Sequence, residues 1–335
     1  MTKPRSSRRP WLRRALLAVA SVLVAGVALI GGAYLYLVPA PSVAEPALSG
    51  SLGHEALQVD GMSRTYLSYV PADVPDDAPV LVVLHGSFQS GETIRTATGF
   101  EFDQLADARG FVVVYPDGYG QGWNDCRELA ATPARQENVS DVRFINDIVA
   151  EMSDRYGTSA DRYFAVGYSN GGQMALRLAS EAPERLRGLA LISANIPTAD
   201  NNLCSDVGSD VPTVVMSGTA DPISPFEGGP VTIFGFSPRG NVVSAAETTQ
   251  AFVRSNGISA EASTHALAHR DESGETSVSV VDFREPGKAP VRQYIIEGGG
   301  HVVPTRIQGF GRIFGASTFD VDAPTEIWDF IAAER

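Results

Sequence analysis

Apolar residues recur along the chain at two spacings, and the two kinds of run alternate. "PVLVVLHG" (79–86), "GFVVVYPDG" (110–118), "RYFAVGYS" (162–169), "LRGLALISA" (186–194) and "VPTVVMSG" (211–218) are continuous and rich in β-branched residues. That pattern predicts strands covered on both faces. Between them lie stretches of helical period: 92–108, 140–157, 171–182 and 244–257. In the second of these, Val142, Ile145, Ile148, Val149 and Met152 recur every three or four residues, so one face is apolar. Ser140 stands where an N-cap belongs and Asp141 falls in the first turn. Residues 276–283 and 291–298 add strand character, and "DAPTEIWDFIAAE" (322–334) predicts a closing helix with Pro324 near its start. Ahead of the alternation, "EALQVDGMSRTYLSYVP" (55–71) predicts a hairpin turning at Asp60-Gly61. Strands alternating with helices imply βαβ units, hence an α/β fold with a mostly parallel central sheet flanked by helices.

The first residues break this pattern. Residues 1–14 carry Lys3, Arg5, Arg8, Arg9, Arg13 and Arg14 and no acid, and "ALLAVASVLVAGVALIGGAYLYLV" (15–38) is without charge. Twenty-four helical residues span about 36 Å, enough to cross a bilayer core with some tilt. The expectation is a basic cytoplasmic tail (1–14) and one transmembrane anchor or signal sequence (15–38), with Tyr34 and Tyr36 at the outer interface. The length favours an uncleaved anchor, while Ser42-Val43-Ala44 offers a small-residue cleavage site for a secreted form. "SRRPWLR" (7–13) reads either as a twin-arginine signal or as a basic flank. Residues 39–53, rich in Pro, Ala, Ser and Gly, predict a linker, and residues 54–335 a catalytic domain.

Composition then narrows the partners. Of 335 residues, 44% are hydrophobic and 19% charged, as in a folded protein with a sizeable core. The net charge is −13 despite the basic tail, so the domain repels phosphate backbones and nucleic acid is excluded as a partner. Cys126 and Cys204 both follow the apolar segment, where an oxidising compartment permits a disulfide between them.

The chemistry centres on "GYSNGG" (167–172), at the point where a predicted strand meets a predicted helix. A sharp strand-to-helix turn presents a serine at the top of a sheet, and side chains two positions to either side would crowd it. Gly167 and Gly171 flank Ser169 at those positions, which makes Ser169 the candidate nucleophile. Its base must follow it in the chain. His265 and His269 lie in the polar stretch "THALAHRDESGET", which reads as an exposed hairpin or insertion, and His54 stands where the linker ends, before the first strand. His301, after "EGGG", has glycines that allow close approach to the serine. Asp221 follows the strand at 211–218 in a turn fixed by Pro222; Asp206 and Asp210 precede that strand and belong to its other end. An oxyanion would need two backbone amides. Asn170 supplies one, Ser87 or Phe88 in "LHGSFQS" the other, with His85 a structural residue of that loop. Phosphate-loop, dinucleotide and zinc motifs do not occur, so the reading calls for no cofactor and no metal.

The set "LHGSFQS", "VYPDGYGQGWND", "GYSNGG", "SGTADPISPFEGG", "GGGHVVP" and "DAPTEIWDF" resembles the exported polyhydroxybutyrate depolymerase and feruloyl esterase-like family of α/β-hydrolases. The resemblance runs from about residue 58 to the C-terminus and implies a serine esterase with Ser169, Asp221 and His301 as its triad. Two departures bear on substrate: Val303 stands where the family often has tryptophan, and Ser87 where it often has cysteine. Trp123, Phe226, Phe234 and Phe236 fall in loops after strands, where they either wall an acyl pocket or pack onto the core; Gln173 reads as a helix-surface residue. The expected activity is hydrolysis of a small or polymeric ester outside the cytoplasm, with hydroxyalkanoate and feruloyl-type esters as the substrates the resemblance suggests. An envelope acyltransferase on the same triad and a non-catalytic binding protein are the alternatives; the oligomeric state is left open.

Overall fold

The structure is a computed structural model that describes residues 10–333 other than 42, 161, 209, 271–273 and 308; the side chains of residues 10–13, 15, 16, 18 and 20 also lie outside the description. Residues 1–9 of the basic tail and Ser42 of the small-residue motif are thus outside the described residues.

Ten strands form one sheet. In chain order they are β1 (Ser51–Val59), β2 (Met62–Val70), β3 (Val80–Leu84), β4 (Val112–Pro116), β5 (Tyr163–Tyr168), β6 (Leu186–Ile192), β7 (Thr213–Gly218), β10 (Ser263–Ala266), β11 (Ser277–Phe283) and β12 (Val291–Glu297). The two-residue strands β8 (Gly229–Pro230) and β9 (Asn241–Val242) make a separate ribbon. The order across the large sheet is β1-β2-β4-β3-β5-β6-β7-β12-β11-β10. All pairs from β4 through β12 are parallel, and the pairs at both margins are antiparallel. Parallel strands need crossovers, and helices supply them: α2 (Gly91–Ala97), α3 (Glu101–Arg109), α4 (Pro133–Gln136), α5 (Asp141–Tyr156), α6 (Asn170–Glu181), α7 (Ala245–Ser255) and α8 (Ala323–Ile331). The expected α/β fold is therefore present. The hairpin turns where the sequence places it, with Asp60 and Gly61 both at positive φ.

The continuous apolar runs follow from burial on both faces. Within β3, Val80, Val82 and Leu84 join the core under α5, α6 and α7, while Leu81 and Val83 join the one under α2, α3 and α8. Side chains alternate across a strand, so neither face can be polar. On the second face Phe111 stacks on Trp328, ring centres 3.7 Å apart.

Several expectations change in detail. The stretch 92–108 is two helices, broken where Gly99 and Phe100 take positive φ. Ser140 makes no side-chain cap. Asp141 is buried instead, pairing with Arg64 at 2.7 Å and accepting from the Asn124 amide at 2.7 Å. His54 lies within β1, and the last residues of the supposed linker are already strand. Residues before it are docked: Glu45 pairs with the buried Arg95, and Ser49 bonds Asp107. His265 and His269 are exposed as the sequence suggests, with Asp320 2.8 Å from the His269 Nδ1. Gln173 is buried and donates to the Asn195 carbonyl at 2.8 Å, because the face of α6 that carries it is pressed on the sheet.

At the N-terminus, α1 runs Pro10–Leu37. Among the described residues no helix is long and apolar enough to cross a membrane. The described leucines and valines of α1 from Val22 to Leu35 are nevertheless exposed around its circumference.

Candidate active site

The carboxyl ends of β3, β5, β7 and β12 lie together in the sheet, and each feeds one part of the site. From β5 the chain turns into α6 at Ser169, whose φ of 55° and ψ of −116° are rarely populated by a residue with a Cβ. The flanking glycines are required by contact. A Cβ on Gly167 would come within 2.3 Å of the Gly171 carbonyl oxygen, and one on Gly171 within 2.1 Å of the Leu84 carbonyl oxygen. The turn is thus packed against the end of β3.

Asp221 follows β7 and His301 follows the adjacent β12. The His301 Nδ1 lies 2.7 Å from Asp221 Oδ2, and its Nε2 lies 2.8 Å from Ser169 Oγ. The other Asp221 oxygen, Oδ1, accepts from the amides of Ile223 and Ser224, both at 2.8 Å, which fixes the carboxylate plane. A carboxylate only accepts, so Nδ1 carries the imidazole proton and Nε2 offers its lone pair to the serine hydroxyl. The glycines before His301 let strand ends meet: a Cβ at Gly218 would lie 2.2 Å from the Gly299 oxygen, and one at Gly300 2.2 Å from the Phe314 oxygen. The His301 amide donates to the Phe314 carbonyl at 2.7 Å. Tyr168 donates its hydroxyl to the His301 carbonyl at 2.8 Å, and burial pushes its pKa up, so it stays a donor. Sequence reasoning missed this tether; a tyrosine beside the serine was its only signal.

The loop after β3 carries the second set of amides. The Phe88 amide donates to the Gln121 carbonyl at 2.8 Å, so Phe88 is withdrawn as an oxyanion donor. The Ser87 and Asn170 amides have no hydrogen-bond partner among the described residues and line the same cavity as Ser169. His85 holds this loop. Its Nε2 accepts from the Gly118 amide at 2.9 Å and its Nδ1 faces the Gly86 carbonyl at 2.7 Å, so the ring is neutral. Burial lowers its pKa to about 4. The Asn170 side chain adds a strut, accepting from the Trp123 amide at 3.0 Å and donating to Asp125 at 2.6 Å.

The pocket differs from the expected one. A cavity of about 280 Å³ opens beside Ser169 and His301, walled by Phe88, Ile223, Ile233, Phe234 and Phe314 together with Arg127 and Arg239. Trp123 is fully buried and donates its indole N–H to the His85 carbonyl at 2.9 Å, so it supports the loop from beneath. Phe226 is half-buried and outside this lining, with its carbonyl accepting from the Ala245 amide. Phe236 is 78% exposed on the turn it forms with Ile233. Val303 is buried in the core. Of the aromatic candidates, only Phe234 reaches the cavity. Cys126 and Cys204 are joined in a disulfide with Cα atoms 5.3 Å apart. Among the described residues no cluster of His, Cys, Asp or Glu could hold a metal.

A serine at the strand-to-helix turn after β5, an acid after β7 and a histidine after β12 accord with the class that the comparison gives: residues 79–231 match the family described as the alpha/beta hydrolase fold, and the domain has that fold. More particularly, the chain is 29% identical over 274 residues to the putative esterase NocK of Nocardia uniformis subsp. tsuyamanensis, covering 79% of this chain and 77% of that protein. It is 23% identical to the probable feruloyl esterase C of Aspergillus niger, over 84% of this chain and 88% of that one. A poly(3-hydroxybutyrate) depolymerase of Ralstonia pickettii is 29% identical over 55% of this chain, which corresponds to 38% of the depolymerase. Among solved structures, an acetyl xylan esterase from Aspergillus awamori superposes with a TM-score of 0.53 at 16% identity, covering 76% of this chain and 95% of that one. That likeness shares the fold.

Proposed function

We propose that the chain is an extracytoplasmic serine carboxylesterase in which Ser169, His301 and Asp221 act as a triad. The observation that carries this is the pair of contacts made by His301, 2.8 Å to Ser169 Oγ and 2.7 Å to Asp221 Oδ2. Esterases among its relatives support the reaction class. In the first half-reaction His301 Nε2 takes the serine proton as Oγ attacks the ester carbonyl. The oxyanion draws on the Ser87 and Asn170 amides. His301 then returns the proton to the leaving alkoxide, which leaves an acyl-serine. Water attacks that acyl group with His301 again as base, releasing the acid. Asp221 holds the tautomer throughout and stabilises the imidazolium. The cavity of about 280 Å³ suits a small acyl or aryl group, and hydroxyalkanoate and feruloyl-type esters are the first substrates to try.

Residues 15–38 would hold the domain at the outer face of the membrane or direct its export. The apolar circumference of α1 and the disulfide fit that placement. The test is hydrolysis of 4-nitrophenyl acetate and butyrate by the full chain in detergent, with a fluorophosphonate probe read by mass spectrometry. Hydrolysis with the probe on Ser169 is expected; equal hydrolysis by Ser169→Ala would overturn the reading.

A further inference from the structure

The cavity beside Ser169 holds a cation, Arg239, that makes no ion pair among the described residues. Arg239 is 4% exposed and lines the cavity, and its Nε and Nη1 are buried without a hydrogen-bond partner. No carboxylate among the described residues forms an ion pair with it. Arg127, on the same wall, is satisfied: Asp125 accepts from its Nε at 3.1 Å and its Nη2 at 2.6 Å. Asp125 is further engaged by Asn170 Nδ2 at 2.6 Å. The wall formed by Arg127 and Arg239 therefore has two guanidinium groups and one neighbouring carboxylate, Asp125, and this wall retains one net positive charge. Burial and the like charge of Arg127 both lower the Arg239 pKa, with Asp125 opposing them.

The frame holding these arginines is built rather than incidental. The Arg239 amide donates to the Val231 carbonyl at 2.9 Å, and its own carbonyl accepts from Asn201 Nδ2 at 3.0 Å. Asn201 also accepts from the Leu129 amide at 3.1 Å, two residues beyond Arg127. The Cys126–Cys204 disulfide closes the same frame next to Arg127. A buried guanidinium with unused donors is costly, and an anionic ligand that supplies acceptors removes the cost.

Resting on the esterase reading above, we propose that the preferred substrate is an ester that also carries a carboxylate, received by Arg239 with Arg127 beside it. A carboxylate suits the site better than a phosphate dianion because a single negative charge balances the single unpaired cation. The apolar remainder of the cavity, Ile223, Val231, Ile233, Phe234 and Phe314, accommodates the hydrocarbon between carboxylate and ester.

The charge can sit on the acyl or the alcohol side, and two matched pairs separate these. The acyl pair is 4-nitrophenyl hydrogen adipate and 4-nitrophenyl methyl adipate; the alcohol pair is 4-acetoxybenzoate and 4-acetoxybenzamide. In at least one pair the acid is expected to have a kcat/KM roughly tenfold or more above its neutral partner, expressed in KM. Arg239→Met should bring that ratio to one or below, and Arg239→Lys should retain part of it. A variant merely damaged in folding would lower both members together and leave the ratio intact. Independently of catalysis, hexanoate, which carries one carboxylate, should raise the Tm of the wild-type protein and hexanamide should not. A wild-type ratio at or below one in both pairs, a ratio unmoved by Arg239→Met in a folded variant, or an equal Tm response to hexanoate and hexanamide would overturn the proposal. Failure of the esterase reading is distinct: the neutral esters would go uncut and the fluorophosphonate would not label Ser169, while the Tm comparison would still decide the carboxylate site.

Discussion

At the scale of single residues, the serine turn leaves no room for a side chain two positions to either side of Ser169. Ser169 takes φ of 55°, and the Cα of Gly171 faces the Leu84 carbonyl too closely for any side chain. Gly171→Ala is therefore expected to destabilise the domain by about 3 kcal/mol, read from urea unfolding. Ser169→Ala should lower kcat by a factor on the order of 10⁴ to 10⁶ while leaving the unfolding midpoint nearly unchanged. Asp221→Asn should cost about 10⁴ in kcat, because the amide can present its N–H to His301 Nδ1 and favour the wrong tautomer. These positions were legible because the elbow is local: the glycine spacing, the strand before it and the helix after it lie within one short stretch. His301 and Asp221 were legible through chain order and their places after strands. Phe88 was not, because whether an amide is free depends on Gln121, a residue of another loop.

At the scale of elements, loops that bear the site are fixed by buried polar links. His85 is the clearest. It is neutral in the fold with a pKa lowered to about 4 by burial, against an ordinary value of 6.5. The unfolded chain binds a proton there that the fold rejects. Its contribution is full above about pH 6.5 and is lost as pH falls towards about 4, up to about 3 kcal/mol. Tm measured from pH 7 down to 4.5 should show this slope, and His85→Gln should flatten it. The disulfide is a second link, joining residues 78 apart. Cys126→Ser with Cys204→Ser should lower stability by about 4 kcal/mol on a loop-entropy estimate, and the same fall should follow reduction of the wild type. The sequence makes the pair plausible by count and compartment. It gives no sign that the bridge lies beside Arg127, since Cys204 reaches that loop only through the tertiary fold.

At the scale of the whole molecule, the expectation concerns where the domain sits. Full-length protein should sediment with membranes and be released by detergent, whereas a form beginning after residue 40 should stay in the supernatant. Full-length chain with an intact N-terminus in the supernatant would contradict the tether. Residues 45–49 are bound to the domain through Arg95 and Asp107. The segment after the apolar helix is thus partly a strap on the domain surface, and any tether is shorter than the composition of 39–53 suggests.

The sequence by itself determined what local periodicity and short motifs can encode: the alternation of strands and helices, the parallel sheet, the serine turn, and the order of serine, acid and histidine. Tertiary structure decided what lines the cavity. Trp123, Phe226 and Phe236 resemble pocket residues in sequence, but the packing assigns them to a buried support, a half-buried loop and an exposed turn. Arg127 and Arg239 look like ordinary loop cations and become one charged wall. The physical reason is that a cavity is bounded by residues from segments remote in the chain. Which of their atoms stay unpaired is settled only when those segments have met.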